Sequence, residues 1–138
     1  MPCRRRARKY GIGAAWESLG GDGLAQDSAG RRLLVTTAHP DDESFGPGGT
    51  LAKYAREGTQ VFLICATRGE AGGNDLTDLG DCEDLACRRE QELRCAVKVL
   101  GVTELFLLGY RDSGMVGSPA NKNPRSLFQA NVDEVARR

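Results

Sequence analysis

The sequence predicts an α/β fold: a Rossmann-like parallel sheet of three strands with helices on both faces. Three short apolar runs, at residues 33–38, 61–66 and 104–108, have the length and composition of buried parallel strands. Two segments with helical spacing, at 50–57 and 83–100, separate these runs. Strands that alternate with helices form parallel sheets through right-handed crossovers, so the three strands are expected in one sheet.

The first 30 residues differ from the rest of the chain, and we predict a flexible extension there. This segment is rich in glycine and lacks a sustained hydrophobic periodicity. It also contains a basic cluster, which consists of Arg4, Arg5, Arg6, Arg8 and Lys9. Short basic termini are usually solvated, and a phosphate- or nucleic-acid-binding arm is the alternative interpretation. The folded domain is therefore expected at residues 31–138.

The two predicted helices are amphipathic, and a glycine is expected to end each of them. In the helix at 83–100, apolar side chains recur at helical spacing, namely Leu93, Ala96, Val97 and Leu100. Gly58 and Gly101 follow the two helices, as helix-ending glycines do. Near the end of the chain, Ser126 is expected to cap a last helix that begins at Leu127.

Three loops, which follow Ala38, Ala66 and Leu108, are expected to form the ligand-binding edge of the sheet. Parallel strands end at the same edge, and ligands of open α/β sheets bind outside these carboxyl ends. The loops at 68–80 and 109–125 are long, and long loops in compact domains are often functional. Sequence order alone therefore predicts that the three loops meet at one site.

The overall composition excludes several classes of protein. The 19 Lys and Arg residues balance 19 Asp and Glu residues, whereas a dedicated nucleic-acid-binding domain usually has a basic excess. No run approaches the roughly 20 apolar residues of a membrane-spanning helix. We therefore expect a cytoplasmic protein without a nucleic-acid partner.

The five cysteines are expected to be reduced thiols. Their number is odd, and no Cys-x-x-Cys motif occurs in the chain. Cys82 and Cys87 are five residues apart, a spacing that does not bring two residues together on a helix. We therefore expect these two residues to be packed or exposed, rather than paired or bound to a second metal ion.

The segment 38–43, with the sequence AHPDDE, carries the most chemistry in the chain. It contains His39, the only histidine, directly after the first predicted strand. Pro40 disfavours a helical backbone at His39, so the imidazole is expected at an extended strand end. In a tight turn, His39 and Asp42 could converge on one ion while Asp41 contacts a water beside it, as in a hydrolytic zinc site.

Two other interpretations of this segment stay open on physical grounds. The acidic residues Asp41, Asp42 and Glu43 could simply cap the following helix, with His39 incidental. Alternatively, the same three carboxylates could bind magnesium in a phosphoryl or glycosyl transferase, although the histidine argues against that.

An ordered series of motifs resembles one known family over residues 31–138. In order, the motifs are AHPDDE at 38–43, GGTLA at 48–52, TRGE at 67–70, REQEL at 89–93, LGV at 100–102 and GYRDSGM at 109–115. The chain resembles the N-terminal part of the PIG-L/LmbE-type zinc-dependent N-acetylglucosamine deacetylases. It is most similar to the bacterial members that act on mycothiol- and bacillithiol-type conjugates.

The resemblance implies a Zn²⁺ cofactor, a substrate class and a role for each site residue. His39 and Asp42 would be zinc ligands, Asp41 the general base, and Arg89 and Asp112 contacts to the sugar. The implied substrate is a small N-acetylated amino sugar conjugate, and the products are acetate and a free amine.

The sequence itself leaves alternatives for Arg89 and Asp112. Arg89 shares the inward stripe of its helix with Leu93, yet it could also be a snorkelling side chain or pair with Glu92. Asp112 follows the third strand, at the expected edge, but could be a turn aspartate that bonds its own backbone.

The family pattern has a third zinc ligand, a later histidine, and no histidine follows His39 in this chain. Catalytic zinc normally takes three protein ligands. We therefore expect a truncated chain that binds zinc poorly and turns over little or no substrate. The alternative is a non-catalytic remnant of the same fold that binds the sugar.

Overall fold

The structure is a computed structural model, and it describes residues 30–73 and 79–137. Strand β1 spans Arg32–Thr37, β2 spans Gln60–Thr67 and β3 spans Glu104–Tyr110. Each lies where the apolar runs predict a strand, with bounds that differ by up to two residues. Apart from Gly30, the predicted N-terminal extension lies outside the described residues, so its flexibility stays a prediction.

Four α-helices accompany the strands within the described ranges. They are α1 at Asp42–Phe45, α2 at Gly48–Arg56, α3 at Leu85–Leu100 and α4 at Val132–Ala136. Two 3₁₀ helices, at Pro119–Lys122 and Leu127–Gln129, lie in the segment after β3. The two predicted amphipathic helices are confirmed as α2 and α3.

The expectation of a last helix capped by Ser126 is wrong. Ser126 precedes only the short 3₁₀ helix, and its side chain makes no capping hydrogen bond. The α-helix begins later, at Val132, where the Asn131 side chain accepts hydrogen bonds from two backbone N–H groups of the first turn. Asn131 therefore has the capping role that the sequence pattern assigns to Ser126.

The three strands form one parallel sheet in the order β1-β2-β3, as the sequence predicts. Because the order runs without reversal, two right-handed crossovers place α2 and α3 on the same face. The two helices indeed contact each other, so α2 and α3 do not cover both faces of the sheet as the sequence predicts. Leu34 and Phe106, on the opposite face, are exposed in the described part of the chain.

The core lies between β2 and α3. It consists of Leu63, Cys65, Leu93 and Val97, with Val35, Val102, Leu105 and Leu107 packed against it. Burial raises the pKa of the Cys65 thiol above its ordinary value, so its reactive thiolate form is disfavoured. This residue is therefore part of the packing, as a buried strand cysteine is expected to be.

A β-bulge re-aims the end of β3 just before the candidate site. Cys65 pairs with Leu107, but Thr67 pairs with Tyr110, so β3 has one extra residue in this interval. Gly109 lies there with a φ of 74°, a left-handed conformation that glycine adopts without strain. The bulge turns the segment that carries Asp112 at the carboxyl edge of the sheet.

The expectation that all cysteines are reduced is wrong for Cys82 and Cys87, which form a disulfide. Helix α3 begins only at Leu85, so Cys82 belongs to the preceding loop and helical spacing does not apply to the pair. Their Cα atoms are 5.5 Å apart, a usual separation for a disulfide. Asp84, between them, caps the helix by accepting a hydrogen bond from the Cys87 N–H at 2.7 Å.

No helix in the ranges 30–73 and 79–137 is long and apolar enough to cross a membrane.

Replacement of Leu93 by alanine tests the importance of the core beneath α3. Leu93 is 1% exposed, so Leu93→Ala leaves a cavity and should lower the free energy of unfolding by about 2–5 kcal/mol. Val99→Ala, on the same helix but at a 77% exposed position, should change it by less than about 0.5 kcal/mol. Urea denaturation measures both, and equal effects would contradict the packing described.

Candidate active site

The carboxyl end of β1 is fastened to β2 where the candidate site begins. The backbone N–H and the side-chain hydroxyl of Thr67 both donate to the Ala38 carbonyl oxygen, at 3.0 and 2.8 Å. Thr67 is buried, so water does not compete for these bonds. His39 therefore leaves the sheet from a fixed point, at the edge where the sequence predicts it.

Asp41 has a strained backbone conformation. Its φ of 107° is the one positive value among the non-glycine residues that the structure describes. Such a conformation costs about 1–3 kcal/mol and persists only where the surroundings enforce it, often at functional sites. Part of that enforcement comes from Glu43, whose buried carboxylate accepts a hydrogen bond from the Asp41 N–H at 2.9 Å.

The carboxylate of Asp41 does not cap the following helix. Asp41 occupies the N-cap position of α1, yet its side chain makes no capping hydrogen bond. Its backbone carbonyl oxygen accepts from the N–H groups of Ser44 and Phe45 instead. The interpretation that the acidic run only caps a helix is therefore wrong for Asp41, whose side chain is left for other contacts.

Arg89 joins the loop after β1 to the loop after β2. Its guanidinium donates to the Pro40 carbonyl at 2.6 Å, to the Gly69 carbonyl at 2.7 Å and to Asp41 Oδ2 at 2.9 Å. The arginine side chain is only 17% exposed, and hydrogen bonds between charged partners are about twice as strong as neutral ones. Arg89 thus holds both the strained turn and the carboxylate of Asp41.

The inward position predicted for Arg89 on its helix agrees with these contacts. The contacts of the Arg89 guanidinium do not include Glu92, which pairs with Arg88 instead, at 2.8 Å. A direct contact between Arg89 and a sugar stays a prediction.

Gly69 leaves the space that the Arg89 guanidinium occupies. A Cβ atom at Gly69 would overlap Arg89 Nη1 and lie 2.5 Å from its Cζ. The residue also has a φ of 67°, which side chains rarely adopt. The glycine of the TRGE segment is therefore required by a close approach between the loop and the arginine.

His39 and Asp42 face each other across the turn. The His39 backbone N–H donates to Asp42 Oδ2 at 2.9 Å, and the same oxygen lies 3.6 Å from His39 Nδ1. Two ligands at zinc-binding distance in a tetrahedral site are about 3.4 Å apart. The separation of these atoms thus suits a shared ion, and the structure brings together the two residues predicted as ligands.

Asp112 contacts the other nitrogen of the same imidazole. Its Oδ1 lies 3.3 Å from His39 Nε2 and accepts a hydrogen bond from the Gly114 N–H at 2.9 Å. Its Oδ2 accepts from the Ala71 N–H at 3.1 Å. Asp112 therefore bonds its own turn, as the alternative interpretation expects, and also contacts His39 at the expected edge of the sheet, while a contact to the sugar stays a prediction.

The donor atoms fit part of a zinc site. His39 and Asp42 offer an imidazole nitrogen and a carboxylate oxygen, which are ordinary zinc ligands. Among the described residues, no group of three His, Cys, Asp or Glu side chains could hold a metal ion. The described residues therefore offer two facing donor atoms of a kind that zinc takes, fewer than the three protein ligands that are usual at a catalytic zinc.

Sequence reasoning did not identify the supporting role of Glu43. This residue is buried and accepts from the Asp41 N–H and, at 2.6 Å, from the Ser44 hydroxyl. The sequence pattern predicts only a helix cap or a ligand of a hard metal ion at this position. The sequence does contain a signal for this role, because a third carboxylate two residues after Asp41, in a tight turn, is expected to be buried and to bond the backbone.

Comparison with known proteins identifies the family. The PIG-L model, described as GlcNAc-PI de-N-acetylase, matches residues 34–138. The chain belongs to this family. The resemblance expected from the motifs is thereby confirmed.

Curated relatives are similar over most of this chain. The 1D-myo-inositol 2-acetamido-2-deoxy-α-D-glucopyranoside deacetylase 2 of Catenulispora acidiphila is 48% identical over 116 residues, which cover 78% of this chain and 38% of that protein. The deacetylase of the same substrate name from Thermomonospora curvata is 47% identical, over 78% of this chain and 39% of its own. The chain thus spans less than two-fifths of the length of these relatives.

Solved structures share the fold. The N,N′-diacetylchitobiose deacetylase of Pyrococcus horikoshii, solved with its inhibitor MPG, matches with a TM-score of 0.53 and 31% identity, over 72% of this chain and 39% of that one. The 4-carboxy-2-hydroxymuconate hydratase of Pseudomonas putida KT2440 matches with a TM-score of 0.52 and 25% identity, over 64% and 38%. The predicted α/β class, with three parallel strands in one sheet, is confirmed.

Replacement of Gly69 by alanine tests the close approach of Arg89. Because the added Cβ meets the guanidinium and φ is positive, Gly69→Ala should lower the free energy of unfolding by about 1–3 kcal/mol. Gly73→Ala is the matched control, since a Cβ at Gly73 meets nothing within 4 Å. If thermal unfolding places both variants at the same stability, the arginine is not held against Gly69 as described.

Proposed function

We propose that this chain carries the water-activating half of a zinc-dependent deacetylase site for an N-acetylglucosamine-type conjugate. Family membership and the names of the sequence relatives, which are deacetylases of a 2-acetamido sugar, support the reaction class. The observation that carries the proposal is geometric. The side chains of His39 and Asp42 face each other across a strained turn, and Asp41, which lies between them in the chain, keeps a half-exposed carboxylate held by Arg89.

In this proposal, His39 Nδ1 and Asp42 Oδ2 are the two atoms of this chain that hold the metal ion. When bound, zinc would supply Lewis-acid polarisation of the acetamide carbonyl and would acidify the attacking water. The exposures of the two side chains, close to half in each case, leave the ion accessible to substrate. The third ligand would have to come from outside the described residues.

Asp41 would act as the general base. Arg89 occupies Oδ2 of its carboxylate and leaves Oδ1 without a contact to that guanidinium. The Asp41 side chain is 51% exposed, so a water molecule can reach the remaining oxygen. A carboxylate held at hydrogen-bonding distance from the attacking water takes its proton as the new C–O bond forms.

The sugar contacts proposed for Arg89 and Asp112 would use the hydrogen-bonding capacity that remains. A guanidinium has five N–H donors, and three hydrogen bonds of Arg89 go to the protein. A carboxylate accepts about four hydrogen bonds, and Asp112 already accepts two from backbone N–H groups beside its imidazole contact. Arg89 therefore has more capacity left for sugar hydroxyl groups than Asp112.

The substrate would be a small glucosaminyl conjugate of the mycothiol or bacillithiol type. The relatives from Catenulispora and Thermomonospora carry the name of an inositol-linked 2-acetamido sugar. We extend that substrate class to this chain, together with the expected cytoplasmic location.

A second candidate function is sugar binding without turnover. It is favoured by one observation: among the described residues, no group of three His, Cys, Asp or Glu side chains could hold a metal ion. A remnant of this kind would keep the contacts of Arg89 and Asp112 and would not depend on Asp41. Substrate binding and amine release, measured on the same samples, separate the two functions.

The assay for the proposed function measures free amine released from N-acetylglucosaminyl-inositol at saturating zinc. We expect slow release by the 138-residue chain, lowered about 10²–10⁴-fold in Asp41→Asn because the base is lost. Asp133→Asn, which removes a charge at the exposed start of α4, should leave the rate unchanged. Sugar binding without any amine release would support the second function, and the absence of both would contradict the two proposals alike.

Zinc titration by calorimetry tests the two-ligand centre directly. We expect weak binding by the native chain, because two protein ligands leave half of a tetrahedral shell to water. His39→Ala should abolish it, since the chain then has no imidazole. Tight one-to-one binding by the native chain would show that the ligand set is larger than proposed.

A further inference from the structure

Asp112 links all three loops of the site through one buried carboxylate. It is 3% exposed and lies after β3, while its partners Ala71 and His39 follow β2 and β1. The Gly114 N–H donates to the same oxygen that contacts the imidazole, and so fixes its direction. The carboxylate is therefore held in place before any ligand binds.

The residues on both sides of Asp112 are held by hydrogen bonds to a later part of the chain. The backbone of Arg111 exchanges hydrogen bonds with the returning chain: its N–H donates to Arg125 at 3.0 Å, and its carbonyl accepts from Leu127 at 2.9 Å. On the other side of Asp112, the Ser113 hydroxyl accepts from the Phe128 N–H at 2.9 Å. Asp112 thus sits between two anchored neighbours, unlike a side chain on a free loop tip.

The contact between Asp112 and His39 has a chemical consequence for the ring. A carboxylate is only an acceptor, so a hydrogen bond at 3.3 Å requires the proton of the imidazole on Nε2. In the neutral ring, Nδ1 is then unprotonated, and its lone pair faces Asp42 Oδ2 at 3.6 Å. Two acceptors that face each other in this way are stabilised by a cation between them.

We propose that Asp112 is a positioning residue that fixes the tautomer and the orientation of His39, so that Nδ1 is presented to the metal ion. This inference rests on the proposed zinc-dependent function. Metal-binding histidines commonly donate their second N–H to a carboxylate, which orients the ring and makes it a stronger ligand. Asp112 acts through His39 in this account, whether or not it also contacts the sugar.

The single histidine of the chain makes a direct test possible. With ¹⁵N-labelled histidine, the NMR spectrum contains one imidazole, whose two nitrogens report which of them carries the proton. At alkaline pH, without zinc, we expect the proton on Nε2, with slow exchange against solvent. A proton on Nδ1 in the native chain would overturn the proposal without any variant.

Variants and a zinc titration, followed through the same signals, complete the test. Asp112→Ala should speed exchange of the Nε2 proton and raise the zinc concentration needed to shift Nδ1 by about 10–100-fold. Asp112→Asn, which keeps the shape of the side chain, should have a smaller effect in the same direction. It replaces the alanine variant in the test if that variant does not fold. Asp133→Asn, a charge change outside the site, should match the native chain.

The outcomes separate this inference from the proposed function. Unchanged His39 signals and unchanged zinc affinity in a folded Asp112 variant would overturn the positioning role. If the Nε2 proton is found and is lost in the variant, yet the native chain neither binds zinc nor releases amine, the contact is real and the deacetylase proposal fails.

Discussion

The arrangement of the site depends on one guanidinium. Arg89 donates to the carbonyl oxygens of Pro40 and Gly69 and to the Asp41 carboxylate, so a single side chain of α3 holds the loops after β1 and β2 together. Its bond to the Asp41 carboxylate helps to hold that residue in a strained conformation, with a φ of 107°. The buried carboxylate of Glu43 holds the same residue through its backbone N–H. Arg89 and Glu43 thus hold Asp41 in its strained conformation, although the Asp41 side chain itself is half exposed.

The sequence predicts most of the fold, because hydrophobic periodicity locates the strands and helices and their order along the chain indicates how they are connected. The apolar runs locate three strands, and the stripe that includes Leu93 locates α3, since burial against a sheet imposes those patterns. The disulfide and the last helix were mispredicted because both depend on where an element begins. Cys82 lies before α3 rather than on it, and Asn131, not Ser126, caps α4. Element boundaries are set by individual capping bonds, which periodicity does not encode.

For the site, the sequence predicts which residues lie there better than it predicts the contacts between their side chains. Chain order places His39 and Asp112 at one edge, and the spacing of His39 and Asp42 suits a shared ion. The bond from Arg89 to Asp41, however, joins side chains 48 positions apart, and only the folded sheet reveals it. The contact between His39 and Asp112 spans 73 positions, and Asp112 comes directly after the irregular end of β3. Such contacts show which side chains hold other site residues in position, and a sequence motif alone does not distinguish these from residues that contact the substrate.

We propose above that His39 and Asp42 share a zinc ion beside Asp41. X-ray absorption at the zinc edge of the zinc-loaded chain tests it most directly, because the chain has one imidazole and its scattering pattern is distinctive. The account predicts one imidazole, with the remaining ligands being oxygen atoms at about 2.0–2.2 Å. A shell of sulfur atoms at about 2.3 Å, or a spectrum without imidazole scattering, would place the ion elsewhere and contradict the account.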